Sequence, residues 1–269
     1  MRTQGMAENT IRRRTGTLRR IEEQTGQSAT ELASGDITSW IGQYPDGGTR
    51  AAYFGDLECY YEFVNRTCDE RELVFTAPTR RIKRPRQPKR APRPITTDEL
   101  YAGIDTATGD VLDWIRAGAY QGCRVTEASM IAGQNISGDR IRIFGKGGSD
   151  KTIPLHPELA EAATRRPGHG WWFPGRGRSG HITSHTVAEK VCAHFDSAGV
   201  QDFTFHRLRH WCATEMLRAG ASLPEVQVYM RHEVIGSTVQ YTQILQDEVI
   251  TAAARLPRRD KPRRRLFVV

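Results

Sequence analysis

Over the first 75 residues, apolar side chains recur at helical steps. In IRRRTGTLRRIEEQTG they fall at Ile11, Leu18 and Ile21, and Gly26 supplies a stop, so the spacing predicts a helix. SATELASGDITSWIGQYP continues the helical pattern up to Pro45. TRAAYFGDLECYYEFVNRT places Ala52, Leu57, Tyr60, Tyr61 and Val64 on a further helix. Aromatic residues in this region read as core rather than as base-stacking platforms. From Thr97-Asp98-Glu99, a helix start, VLDWIRAGAYQGCRVTEASMI is apolar and helical with an interruption near Gly122. RIRIF and KTIPL flank GKGGSD and predict a β-hairpin. WWFPGRGRSGHITS reads as a loop. Three helices follow: one stopping at Gly199, one at Gly220, and SLPEVQVYMRH with Pro224 in its first turn. QYTQILQDEVITAAARLP predicts a closing helix. The class is mostly α with a small β-hairpin or sheet element, and no segment repeats another.

Charge changes that picture in one place. Thr76 to Thr97, TAPTRRIKRPRQPKRAPRPITT, holds eight Lys and Arg residues, five prolines and no acid. Elsewhere basic and acidic residues balance, so this stretch accounts for the formal net charge of +8. Prolines deny it a helix and predict an extended, semi-rigid connector. The chain is therefore read as a helical domain over 1–75, a basic linker over 76–97, a larger domain over 98–256 and a basic tail over 257–269. A localised basic strip is the footprint of a polyanion, most often nucleic acid; the plainer reading is a solvated linker. The strip offers Arg80, Arg81, Lys83, Arg84, Arg86, Lys89, Arg90 and Arg93 as DNA contacts. The mean hydropathy is −0.56 and no apolar run approaches a membrane span. MRTQGMAENTIRRR lacks the apolar core of a signal peptide. Cys59, Cys68, Cys123, Cys192 and Cys212 are scattered, as expected of reduced thiols in the cytoplasm.

FHRLRHWCATEML concentrates candidate chemistry. His206 stands three residues before Arg209 and four before His210, which places all three on one helical face. Such a cluster is repulsive until an anion joins it, and an arginine fork gives a phosphate two charge-assisted hydrogen bonds. Arg124 and Glu127 lie three apart after Gly122; the carboxylate can orient the guanidinium, or the pair is an ordinary surface ion pair. Lys146 sits at the hairpin tip, but the glycine and Ser/Thr positions of a nucleotide-binding loop are missing. Two histidines four apart also suit zinc, yet that helix needs a glutamate after the first histidine, and Arg207 stands there.

In this order the residues resemble the tyrosine recombinases, the phage-integrase family of site-specific DNA recombinases. The resemblance rests on Gly122-Cys123-Arg124-Val125-Thr126-Glu127 and on Lys146 in FGKGGSDKTIPL. It extends to the H-x-L-R-H run at His206, Leu208, Arg209 and His210, to His232, and to Tyr241 in QYTQI. It covers about residues 95–256 and, more weakly, the N-terminal unit. One position departs from the family: Arg231 stands where a glycine usually precedes the second histidine. Two readings follow, a further phosphate contact or tolerance of a different backbone angle.

The resemblance implies a two-domain DNA clamp, a helical SAM-like core-binding domain plus a mixed α/β catalytic domain. Tyr241 would attack a phosphodiester to give a 3′-phosphotyrosine and free a 5′-hydroxyl. Arg124, Arg209 and His232 would hold the phosphate, His206 would accept the proton or hydrogen-bond the phosphate, and Lys146 would protonate the leaving oxygen. Glu127 and His210 would support them. No cofactor, metal or nucleotide is expected. The implied partners are double-stranded DNA at attachment or core sites, three further copies in a tetramer, and accessory DNA-bending factors, in the cytoplasm and nucleoid of a bacterial host. The implied role is integrating or excising phage or mobile-element DNA. Resolution of bacterial chromosome dimers, or non-catalytic DNA binding on the same fold, are the alternatives. The last helix, DEVITAAARLP, would pack on its own domain or dock on a neighbouring subunit. The helical pattern starts within about the first ten residues, so a separate arm-site domain is not expected.

Overall fold

The structure, a computed structural model, describes Met6 and residues 8–86, 93–145 and 150–231. Lys89, Arg90, Lys146, His232, Tyr241, the closing helix and the basic tail lie outside the described residues. The chain divides into two compact units, Met1–Arg90 and Ala91–Val269.

In the first unit, α1 (Glu8–Thr25), α2 (Ser34–Gly42) and α3 (Gly47–Asp69) surround Ile21, Ile37, Trp40, Phe54, Leu57 and Tyr61, all buried. α1 ends as its glycine requires, with Gly26 at φ +70°. A buried polar link ties α1 to α3: Asp56 accepts from Thr17 at 2.9 Å and from Arg13 at 2.7 Å. The stretch read as a connector does not begin as one. Pro78–Arg81 forms a 3₁₀ turn, Ala77 and Thr79 are buried, and the Ser34 hydroxyl donates to the Pro78 carbonyl at 2.7 Å. Proline at the first position of a helical turn has no hydrogen bond to lose, so the prolines here do not force extension.

The second unit is built around α5 (Gly109–Ala119), buried at every residue from Asp113 to Ala119. A helix buried on all sides belongs at a centre, and its two buried charges are paired there, Asp113 with Arg166 and Arg116 with Glu158. α4 (Thr97–Thr106), α7 (Pro157–Ala163), α8 (Ser184–Ser197) and α9 (Phe205–Arg218) complete this bundle. The contacts are close. An added Cβ at Gly118 of α5 would lie 2.8 Å from Leu208 of α9, and one at Gly103 of α4 only 2.2 Å from the Phe195 ring. A capping box opens α4, where Thr96 and Glu99 exchange side-chain-to-backbone bonds at 3.2 and 2.8 Å. The expected hairpin is present as β2 (Arg140–Phe144) against β3 (Asp150–Pro154), antiparallel, with Ile141 opposite Ile153 and both buried. A short β1 (Ile136–Ser137) adds a third strand, in the order β1-β2-β3. α7 and β1 were not expected from the sequence. α6 (Val125–Ser129) packs against α5, and α10 (Leu223–Tyr229) against α9. Among the described residues, no helix is long and apolar enough to cross a membrane.

Candidate active site

The break between α5 and α6 creates the site. Gly122 takes φ +59°, a conformation that penalises any side chain, and an added Cβ would press on the Met230 sulfur at 2.7 Å. That turn brings Arg124 to the N-cap position of α6. Glu127, one turn into α6, accepts from the Arg124 backbone N–H at 2.8 Å and from its guanidinium at 2.7 Å. The pair is not an ordinary surface contact: Glu127 is buried, while the Arg124 side chain is 40% exposed. One end is anchored and the other faces outward.

α9 delivers the second group. Arg209 is buried, and its guanidinium donates to the carbonyls of Gly122 and Met230. It also lies 3.8 Å from the Glu127 carboxylate. In this structure, then, a guanidinium expected to grip a phosphate is 1% exposed and given to protein acceptors. One turn away, His206 and His210 meet edge to face with ring centroids 4.4 Å apart. His206 is exposed as a residue, yet the imidazole's dense surroundings disfavour its charge. That partial desolvation of the ring, then the nearby Arg209 and Arg124, hold its pKa below the ordinary value. His206, Arg209 and Arg124 are thus brought together, although 82 positions separate the first from the last. Arg207 takes no part; it turns to α4 and pairs with Glu99 at 3.3 Å.

Arg231 resolves both readings of its departure from glycine. It closes α10 at φ +55°, and its guanidinium donates inward to Glu127 at 2.8 Å rather than outward. Glu127 therefore faces three guanidinium groups. Burial alone would raise its pKa, but Arg231, the Arg124 N–H and Arg209 outweigh it and hold the carboxyl below its usual range.

Gln121, missed in the sequence, is fully buried. Its amide donates to the Pro154 carbonyl at 2.8 Å, and its oxygen accepts from the His156 N–H at 2.8 Å. It fastens the end of β3 to the turn that carries Arg124. No sequence signal marks it beyond its place beside Gly122. Cys123 and Cys212 are also buried here, and burial pushes both thiols up to about 12, so neither is a nucleophile at neutral pH. Of the residues in the basic strip, Arg80, Arg81, Lys83, Arg84, Arg86 and Arg93 are exposed. Arg84 lies 3.3 Å from Glu58.

A family model described as "Phage integrase family" matches residues 115–248. The tyrosine recombinase XerC of Pelobacter propionicus is 29% identical over an alignment of 198 residues that covers 66% of this chain. The chain spans a little under two thirds (64%) of that relative's length. The integrase from mycobacterium phage Brujita is 28% identical, with a TM-score of 0.52 over 95% of this chain and 88% of that one. A lambda integrase tetramer bound to a Holliday junction shares the fold at a TM-score of 0.69 and 17% identity, over 88% of this chain and 72% of that one. The chain belongs to the phage integrase family, the tyrosine recombinases.

Proposed function

We propose that this recombinase cleaves and rejoins DNA through a 3′-phosphotyrosine on Tyr241, without metal or nucleotide, in the integration or excision of phage or mobile-element DNA. The observation that supports this most is the outward-facing Arg124 guanidinium, anchored by buried Glu127 beside His206. A fixed cation at the surface of a groove stabilises charge that grows on a phosphate and needs no reorganisation during the reaction.

In this reading, the Tyr241 oxygen forms a bond to phosphorus as the bond to the 5′ oxygen breaks. A free tyrosine is only about 0.1% ionised at neutral pH, so the phenolic proton needs an acceptor. His206, held neutral by its surroundings, takes that proton. Lys146 supplies one to the leaving 5′ oxygen. Arg124 and His232 bind non-bridging oxygens. Arg209 joins them on giving up its carbonyl partners, or else acts from behind through Glu127. The reverse attack by a 5′-hydroxyl restores the phosphodiester, so bond energy is conserved and no nucleotide is consumed. The arginines and lysines of residues 80–93 hold the DNA backbone, and four copies assemble on two sites, in the manner of the lambda integrase tetramer on its Holliday junction.

The test is adduct capture. The protein is incubated with fragmented host DNA in EDTA, and protein-linked fragments are isolated and mapped. A nicked duplex carrying the recovered site should then trap a covalent adduct that Tyr241→Phe does not form. An adduct that survives that substitution would defeat the assignment. Tight binding with no adduct from the wild type would favour a non-catalytic DNA-binding protein.

A further inference from the structure

We infer that Arg231 is a positioning residue for the recombination reaction: its guanidinium fastens the chain entering His232 to the turn that carries Arg124. The inference rests on the recombinase reading above, and it concerns a position where this chain departs from its family.

The backbone gives the first reason. α10 ends at Tyr229, Met230 caps it in the right-handed region, and Arg231 follows at φ +55°. This is the position after a helix where glycine costs least, and any other side chain there is strained. Nothing in the backbone asks for arginine. A residue that carries that strain needs a compensating contact elsewhere in its side chain.

The side chain supplies it. It is 4% exposed, and its two terminal nitrogens reach four acceptors. Nη1 donates to the Tyr229 carbonyl at 2.8 Å and to the Gln121 carbonyl at 3.4 Å. Nη2 donates to the Gly122 carbonyl at 2.8 Å and to Glu127 at 2.8 Å. Those acceptors belong to three parts of the chain: the end of α10, the turn after α5, and α6. Gly122 and Glu127 also receive or face Arg209. Arg231 therefore holds one edge of the frame whose other edge fixes Arg124. The segment beginning at His232 starts from this knot, with Tyr241 ten positions beyond Arg231 in sequence. Because the guanidinium is planar and forked, lysine cannot replace its four bonds.

Two measurements on the full chain test this. Hydrogen–deuterium exchange without DNA reads the tether itself. Arg231→Gly relieves the backbone, yet it should speed exchange by about tenfold or more in peptides spanning 118–124 and 223–231. Unchanged or slower exchange would overturn the tether. The second measurement is single-turnover cleavage of the nicked duplex carrying the site recovered by adduct mapping. Arg231→Gly should cleave about 100-fold more slowly while its affinity for the duplex changes less than threefold. Ethylguanidinium, supplied at millimolar concentration, should restore about tenfold of the loss. Arg231→Lys should remain slow and gain nothing from ethylguanidinium, since its own side chain blocks the space. Cleavage by Arg231→Gly within threefold of wild type would refute the inference. So would a loss that follows lost helix content and resists rescue, because Arg231 would then be a folding residue only. Failure of the wild type itself to form an adduct would strike the recombinase reading, and the exchange result would still decide the tether.

Discussion

Glu127 serves three guanidinium groups from one buried carboxylate, and this makes it the residue most sensitive to loss of charge. Breaking a buried ion cluster by removing one partner costs about 3–5 kcal/mol, because the remaining charges stay buried and uncompensated. Glu127→Gln is expected to lose an amount of that order in urea unfolding at pH 7; a loss below about 1 kcal/mol would mean that the arginines find other partners. The folded carboxyl titrates below its unfolded value, so its contribution is complete above about pH 4.3 and is lost as pH falls through the lower folded value. The acid limb of the wild-type stability curve should shrink in Glu127→Gln. His206 is shifted in the same direction for the opposite reason, since its charged form is the one disfavoured. Its ring is expected to titrate below 6.5 by NMR and to move upward when sulfate is added beside Arg124. A midpoint above 6.5 without anion would contradict its role as a neutral proton acceptor.

The helices themselves were largely legible, because each carries an apolar face and a stop. Gly26, Gly199 and Gly220 all take positive φ just beyond the helices they end. α7 was not legible: PELAEAA is short, begins at a proline and offers only Leu159 and Ala162 to the core. β1 is two residues long, too short for an alternating pattern to register. The connector was misread at its start because proline counts as a breaker in the middle of a helix but not in its first turn. Glycine gives a contrast at this scale. Gly16 of α1 has nothing within 4 Å of an added Cβ, whereas Gly103 of α4 would drive one into Phe195. Gly16→Ala should stabilise by about 0.5–1 kcal/mol through helix propensity alone. Gly103→Ala should destabilise by about 1–3 kcal/mol despite the same gain. Thermal unfolding of the two variants reads both signs, and a stabilised Gly103→Ala would show that α4 and α8 have slack between them.

Across the whole molecule the charge is uneven, and a partner should feel it. If the strip neutralised eight phosphates, DNA affinity would fall with a log–log salt slope of about −7. Replacing its lysines and arginines by glutamine should flatten that slope and weaken binding to specific and random duplexes alike; an unchanged slope would leave the strip as a spacer. Arg124, Glu127, His206 and Arg209 could be picked out as residue types in order, because phosphate chemistry leaves few substitutes for arginine and histidine, and the structure brings these four together. Their wiring could not. Whether Arg231 faces outward or inward depends on an acid 104 positions away, and Arg209 is given to backbone carbonyls that no sequence pattern displays. That wiring also reaches beyond a single molecule. Where an arginine replaces glycine at the position of Arg231, a carboxylate at the position of Glu127 becomes obligatory instead of merely helpful. Homologues should therefore drift at these two sites as a pair, and a library that randomises one while freezing the other would discard combinations that work.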